Sequence, residues 1–277
     1  MSIVKVNFFS ESLMRTVNFI AVVPIDKRSV DGNQIRPKGK AFKTLYLLHG
    51  IYGSEYDWIT GTRIIGWAQD RNLVVIMPAG ENSFYNDQPK AAEYYARYIG
   101  EELVDFTRRM FPLSEEREDT YIAGLSMGGY GAFCTGLRYP ETFGYMGCFS
   151  SALILKNYPK DDHDPGLIQN LGYFESVLGK EEEVHGSDRD YFALARKLVE
   201  EKKRIPKLYM ACGLQDQLLL KENREYRDYL RELGLEFDYF EDEGGHDWDF
   251  WNKHIYRFLE WLPLEEKSLS ISSGHVL

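Results

Sequence analysis

Three cysteines in 277 residues, Cys134, Cys148 and Cys212, are too few and too scattered for a disulfide framework, and no CxxC pair offers a metal site. Each sits in an apolar stretch, where a thiol behaves as a small buried hydrophobe. Basic residues are also short: 33 Lys and Arg against 43 Asp and Glu leave a net charge of −10. Nucleic acid and anionic membrane surfaces need a positive patch, so the balance argues against both as partners. No stretch approaches 18 uninterrupted apolar residues, and nothing is expected to span a membrane. The N-terminal "MSIVKVNFFSESLMRTVNF" has no continuous apolar core and no small-residue cleavage site, which predicts a cytoplasmic protein, with a secreted form as the alternative.

What remains is an ordinary globular composition, 44% hydrophobic and 27% charged, in a chain long enough to enclose a sizeable core. No internal repeat or low-complexity linker divides it, so a single domain over 1–277 is expected. "VKVNFFS" and "RTVNFIAVVP" are rich in β-branched and aromatic residues and predict two paired N-terminal strands, followed by the polar loop "DKRSVDGNQIRPKGKAF". "KTLYLLHG" (43–50), "NLVVIMPAG" (72–80) and "TYIAGLS" (120–126) are nearly continuous apolar runs, as in strands buried on both faces. "GYMGCFSSAL" (144–153) and "KLYMACG" (207–213) repeat the shape more weakly. Between them, apolar residues at three- and four-residue intervals predict helices over 91–111, 190–203, 218–233 and 248–262. The alternation predicts an α/β fold: a mainly parallel central sheet, an antiparallel N-terminal edge, and helices on both faces. The acidic stretch 152–190 reads as a small cap-like insertion after the sixth strand, and 264–277 as a frayed tail.

The chemistry centres on "GLSMG" (124–128), directly after a buried strand and before a small-residue helix pattern. This is the G-x-S-x-G arrangement of a nucleophile on a tight strand-to-helix turn, where β-carbons at Gly124 and Gly128 would clash with the neighbouring strand and helix. Ser126 is then exposed at the strand's end, with the positive end of the helix dipole behind it. "LLHGIYGSEYDW" (47–58) supplies a glycine-rich loop after another buried strand. Its Ile51 N–H, together with that of Met127, is the expected oxyanion hole, with His49 bracing the loop. Of six histidines, His163 and His185 lie in the acidic insertion, His254 within the last helix and His275 in the tail. Only His246 follows a strand pattern through a double glycine, "GGHDWDFW", and it is the expected base. The orienting carboxylate is Asp216 in "ACGLQDQLLL", rather than Asp238 inside a strand pattern or Asp242 in an acidic turn. The order Ser, Asp, His is that of α/β-hydrolase triads.

With these residues assembled, the chain resembles the esterase D branch of the α/β-hydrolases, which includes tributyrin esterases, feruloyl esterases and S-formylglutathione hydrolase, and more distantly the mycolyltransferases. The stretches that carry the resemblance are "LLHGIYGSEYDW", "MPAGENSFYND", "GLSMGGYGAF", "ACGLQDQLL" and "GGHDWDFW", from about residue 43 to 262. It implies an α/β-hydrolase fold, the triad Ser126, Asp216 and His246, the Ile51 and Met127 oxyanion hole, and hydrolysis without metal or organic cofactor. The expected substrate is a small ester with a short acyl or hydroxycinnamoyl group, including sugar-linked acyl groups, and a homo-oligomer is allowed. A Cys-Thr pair usually follows the loop glycine in the formylglutathione hydrolases; Ile51-Tyr52 stands here. The alternatives are a thioesterase of that kind, an acyltransferase using the same triad, and a non-catalytic binding module, which would be expected to miss a triad member. Loop aromatics Tyr52, Tyr56, Trp58, Phe84 and Tyr85 are expected near the site, Tyr52, Trp58 and Tyr85 as substrate contacts. Tyr173 and Phe174 in the insertion are expected as pocket walls, with anchoring of the insertion as the other role.

Overall fold

The computed structural model describes residues 2–28, 40–158, 160 and 170–268; most of the loop expected over 26–42, and both His163 and His275, lie outside them. The N-terminal strands β1 (Ser2–Ser10) and β2 (Arg15–Val23) pair antiparallel in register Ser2↔Val23 to Ser10↔Arg15. The apolar runs become β3 (Lys43–Leu48), β4 (Leu73–Pro78), β5 (Thr120–Leu125), β6 (Tyr145–Phe149) and β7 (Lys207–Gly213), and β8 (Asp238–Asp242) closes the sheet. Their order is β1-β2-β4-β3-β5-β6-β7-β8. β2 meets β4 antiparallel, and every pair from β4 through β8 is parallel.

That order fixes where a site can form. From β3 the chain moves outward to β4, then returns to β5 on the other side of β3, so the loops after β3 and β5 part over a crevice at the strands' carboxyl ends. The apolar continuity of β4 and β5 follows from burial on both faces; no residue of either is exposed. One face carries α3 (Leu103–Met110), α4 (Met127–Arg138), α7 (Tyr191–Glu200) and α8 (Leu220–Glu232), through residues such as Leu103, Phe133, Ala195 and Leu230. The other carries α1 (Asp57–Gly61), α2 (Ile64–Asp70) and α9 (Trp248–Trp261), through Trp58, Ile64, Ala68, Phe258 and Leu259. After β6 come α5 (Leu171–Leu178) and α6 (Glu181–Val184), whose Phe174, Val177, Leu178 and Val184 join the core of the first face.

Two expectations need correction. Helix was expected from 91, but residues 89–94 form a 3₁₀ turn and a short strand, and helix starts at Tyr95. The reason is Asp87, whose carboxylate accepts from the N–H groups of Ala96 (2.9 Å) and Arg97 (3.3 Å) and so caps the helix from outside its own run. The tail was expected to fray from 264, yet 264–268 is held. The Ser268 N–H donates to Asp70 O at 2.9 Å, and the buried Lys27 amine donates to Gln69 O, Asp70 O and Ser268 Oγ. Burial lowers the Lys27 pKa to about 8.

Candidate active site

Ser126 stands between β5 and α4 with φ 52° and ψ −117°, a conformation that residues with a β-carbon avoid. Its backbone is held on three sides: Ser126 N–H donates to Phe149 O, and Ser126 O accepts from the N–H groups of Tyr130 and Ala152. The flanking glycines are sterically required. A β-carbon on Gly124 would collide with Gly128 O, and one on Gly128 would come within 2.5 Å of both Leu48 O and His49 O. The turn therefore packs directly against the loop after β3.

In that loop a β-carbon on Gly50 would lie 3.5 Å from Ser126 Cβ, which measures how near the loop runs to the serine. His49 is buried and bridges two loops. Its Nε2 accepts from the Gly80 N–H at 2.9 Å, which assigns the proton to Nδ1, and Nδ1–H donates to Gly50 O at 2.7 Å. Burial lowers its pKa and keeps it neutral, as the bracing role requires. Gly50 O also accepts from the Gly53 N–H at 3.2 Å. In a planar trans peptide the N–H points opposite the carbonyl, so fixing Gly50 O aims the Ile51 N–H the other way. Neither that N–H nor the Met127 N–H, at the first turn of α4, donates to any group among the described residues.

His246 reaches Ser126 from the β8–α9 loop, with Nε2 3.0 Å from Ser126 Oγ. Its Nδ1 lies 2.9 Å from Asp216 Oδ2. Asp216 is buried in the loop after β7, where Oδ1 accepts from the N–H groups of Leu218 (3.1 Å) and Leu219 (3.0 Å). Burial alone would raise the carboxyl's pKa. The His246 ring and these amides outweigh it, and the net displacement is downward, so Asp216 stays ionised. The two rival carboxylates are engaged elsewhere: Asp238 accepts from Trp261 Nε1 at 2.8 Å, and Asp242 pairs with Arg257 and Lys253. His254 is buried on α9, with Nδ1 3.1 Å from the Tyr209 hydroxyl and Nε2 3.1 Å from Asp242 Oδ2. His185 is exposed in the short turn after α6.

The aromatic expectations divide. Tyr52 is exposed beside Ile51 and Tyr56 is exposed on the same loop. Trp58 and Tyr85 are each only 1% exposed and present no surface to a substrate, which corrects their expected role. The Trp58 indole donates to Leu48 O at 2.9 Å, and the Tyr85 hydroxyl donates to His49 O at 3.0 Å, so both brace the loop from below. Phe174 is likewise fully buried, against Phe84 and Tyr158, and anchors the insertion instead of lining a pocket. Tyr173 is half-buried, and its hydroxyl donates to Asn82 O at 2.7 Å. Sequence reasoning missed Trp251, whose indole meets the His246 ring edge-on at 4.9 Å while its N–H donates to Ser150 Oγ at 3.2 Å. The five-residue spacing from His246 onto the first turns of α9 was the available signal. Among the described residues no cluster of His, Cys, Asp and Glu could hold a metal ion, and no helix is long and apolar enough to cross a membrane.

The arrangement offers a hydroxyl, an imidazole in hydrogen-bonding contact with it, a buried carboxylate behind the imidazole, and the Ile51 and Met127 amides, which donate to no group among the described residues. The Esterase family model matches residues 27–262 of the chain. An acetyl esterase of Caldicellulosiruptor saccharolyticus is 43% identical over 271 residues, covering 95% of this chain and 98% of that protein. S-formylglutathione hydrolase of Staphylococcus aureus superposes with a TM-score of 0.80 at 31% identity, over 94% of this chain and 98% of that one. Fluorophosphonate-binding serine hydrolase F of the same organism superposes with a TM-score of 0.81 at 30% identity, over the same shares of each chain.

Proposed function

The chain belongs to the Esterase family and is a carboxylic ester hydrolase, and from that premise we propose that Ser126 is its nucleophile, His246 the general base and Asp216 the residue that orients the base. The observation that carries this reading is the continuous contact from Ser126 Oγ through His246 Nε2 and Nδ1 to Asp216 Oδ2, at 3.0 and 2.9 Å. His246 Nε2 accepts the Ser126 proton as Oγ attacks the ester carbonyl carbon. The carbonyl oxygen takes the negative charge and accepts from the Ile51 and Met127 N–H groups, at the positive end of α4. His246 then gives its proton to the leaving alcohol. A water, deprotonated by the same imidazole, attacks the acyl-enzyme and releases the acid and free serine.

The proposed substrates are small esters with short acyl groups, acetyl first, because the acetyl esterase relative is matched along almost its whole length. Hydroxycinnamoyl esters and sugar-linked acyl groups extend the range through the exposed Tyr52 ring at the mouth. Turnover of p-nitrophenyl acetate, butyrate and palmitate and of methyl ferulate tests the range, with Ser126→Ala as control. Loss of a triad nucleophile cuts turnover by roughly 10⁴ or more. A folded Ser126→Ala protein retaining a tenth of wild-type turnover would overturn the assignment.

A second reading, hydrolysis of S-formylglutathione, is favoured by the structural likeness to the staphylococcal enzyme. S-formylglutathione and p-nitrophenyl acetate assayed side by side decide it. A kcat/KM for the thioester far above that for the ester would put the thioesterase first.

A further inference from the structure

The segment "GENSFYND" after β4 contributes nothing to the triad, yet its backbone is unusually strained. Glu81, Phe84 and Tyr85 have φ of 50°, 51° and 54°, and Tyr52, across from them in the loop after β3, has φ 65°. All four carry β-carbons, so each resists the left-handed region and persists only where its surroundings hold it. Asn82 lies at the centre of these holds. Its Oδ1 accepts from the Tyr52 N–H at 2.8 Å, and its backbone oxygen accepts from the Tyr173 hydroxyl at 2.7 Å. Phe84, two residues on, packs its ring against Tyr173 and Phe174 of α5 at 6.3 and 5.6 Å between centroids. One asparagine therefore joins three chain segments: the loop that presents the Ile51 N–H, the loop after β4, and the insertion.

We propose that Asn82 is a positioning residue that latches α5 to the oxyanion loop, so that the insertion helps to set where the Ile51 N–H stands. The proposal rests on the esterase reading above. His49 fixes one side of Ile51 by holding Gly50 O, and Asn82 fixes the other by holding the Tyr52 N–H. With both ends of the Ile51 residue restrained, its amide is placed before substrate arrives, which is the condition under which such a donor favours the transition state. Tyr173 then acts through its hydroxyl as the far end of the latch, and not through its ring as a wall for the acyl group.

The two roles of Tyr173 predict different patterns. A latch affects every ester alike and affects kcat; a wall affects long or aromatic acyl groups and leaves acetate alone. The variants are Asn82→Leu, which removes the acceptor at similar size, Asn82→Asp, which keeps it, and Tyr173→Phe, which keeps the ring. Each is assayed for kcat and KM on p-nitrophenyl acetate and butyrate, for inhibition by butaneboronic acid, whose tetrahedral adduct fills the oxyanion hole, and for Tm. Removing a donor outright costs about 10²–10³ in kcat, so a displaced donor should cost about tenfold. Asn82→Leu should lose about tenfold in kcat on both esters with KM within about twofold, and boronate affinity should fall in parallel. Asn82→Asp should stay near wild type, and Tyr173→Phe should lose turnover on acetate as much as on butyrate. Asn82→Leu with wild-type kcat, or Tyr173→Phe, which loses only the hydroxyl, with wild-type turnover on acetate, would overturn the latch. Should Asn82→Leu fail to fold, Tyr173→Phe on acetate decides. Wild-type turnover and its loss in Ser126→Ala are measured in the same series, so failure of the esterase reading shows there and failure of the latch shows only in the variants.

Discussion

Gly128 packs so closely on His49 that a β-carbon at position 128 would stand 2.5 Å from the His49 carbonyl oxygen, and equally close to that of Leu48. Both obstacles are backbone, which cannot swing aside as a side chain would. Gly128→Ala must therefore push the loop after β3 away from the serine turn. Overpacking of this kind costs about 1–3 kcal/mol, and ester turnover should fall by at least tenfold because the displaced loop carries the Ile51 N–H. Gly66→Ala is the contrast, since its β-carbon would meet nothing within 4 Å in the middle of α2. It should leave turnover unchanged and raise stability by roughly 0.5–1 kcal/mol. Urea midpoints and turnover of the two variants check both statements.

The carboxylate assignment makes a sharp comparison. Asp216→Asn keeps the shape of the side chain but donates toward His246 Nδ1 and favours the wrong imidazole tautomer, so turnover should fall by about 10³–10⁴. Asp238 and Asp242 serve Trp261 and the Arg257–Lys253 pair instead. Asp238→Asn and Asp242→Asn should keep turnover within a few-fold, and the effect of Asp242→Asn should fall on stability. Equal loss from Asp242→Asn in a folded protein would move the orienting role to that residue.

The sheet was legible because its central strands are buried on both faces and leave unbroken apolar runs, as in β3, β4 and β5. The candidate site was legible for a related reason: Ser126, Asp216 and His246 each follow a strand that ends on one edge of that sheet, so chain order alone places them together. Exposure of the loop aromatics was not legible. Trp58 on α1 and Tyr52 in the loop before it lie six residues apart, yet one is buried under the loop and the other stands in solvent. Only packing across α1 and β3 decides that. The ordered stretch 264–268 escaped notice because its anchors are Lys27 and the end of α2, more than 190 residues earlier in the chain. Helix periodicity likewise could not show that Asp87 caps from outside and delays the helix to Tyr95.

Acid should weaken the fold through His254. This ring is fully buried on α9, with Nδ1 3.1 Å from the Tyr209 hydroxyl and Nε2 3.1 Å from Asp242 Oδ2 without hydrogen-bonding alignment. Arg257 and Lys253 face the same carboxylate. Burial is the main cause that lowers its pKa, from 6.5 to about 4. The unfolded chain therefore binds a proton between pH 6.5 and 4 that the folded protein refuses, and stability falls as pH drops through that window. The contribution is about 3 kcal/mol at most. Buried His49, also lowered, adds to the same slope. In His254→Gln the urea midpoint should change less between pH 7.5 and 4.5 than in the wild type, whatever its starting value. An identical slope would remove His254 from the account.

Substrate presented as a lipid surface should give no advantage. The insertion carries Glu181, Glu182, Glu183 and Asp188 on described segments, and the chain has a net charge of −10. Bringing those carboxylates to an acyl interface is costly, and an anionic one would repel the whole molecule. Hydrolysis of p-nitrophenyl palmitate should be slower than that of butyrate, with no rise in rate at the solubility limit. A rise at the emulsion boundary would contradict the reading of a soluble-ester enzyme.

Tyr52 and Trp58 provide the test of which aromatics meet substrate. Tyr52 is 65% exposed next to Ile51, and a planar hydroxycinnamoyl group has a face to lay against its ring. An aromatic pair of this kind is worth about 0.5–1.5 kcal/mol, which is roughly two- to tenfold in kcat/KM. Tyr52→Ala should lose that much on methyl ferulate while p-nitrophenyl acetate, whose acyl group has no ring to stack, changes little. Trp58 fills the space under the loop, edge-on to Phe149 and Trp248, and its N–H satisfies Leu48 O. Trp58→Phe loses that hydrogen bond and leaves a void, so it should lower stability by about 1–3 kcal/mol and reduce ferulate and acetate turnover in the same proportion. The ratio of the two kcat/KM values is therefore the decisive measurement. A ratio that moves in Trp58→Phe and holds in Tyr52→Ala would place the aryl group beneath the loop and reverse the assignment.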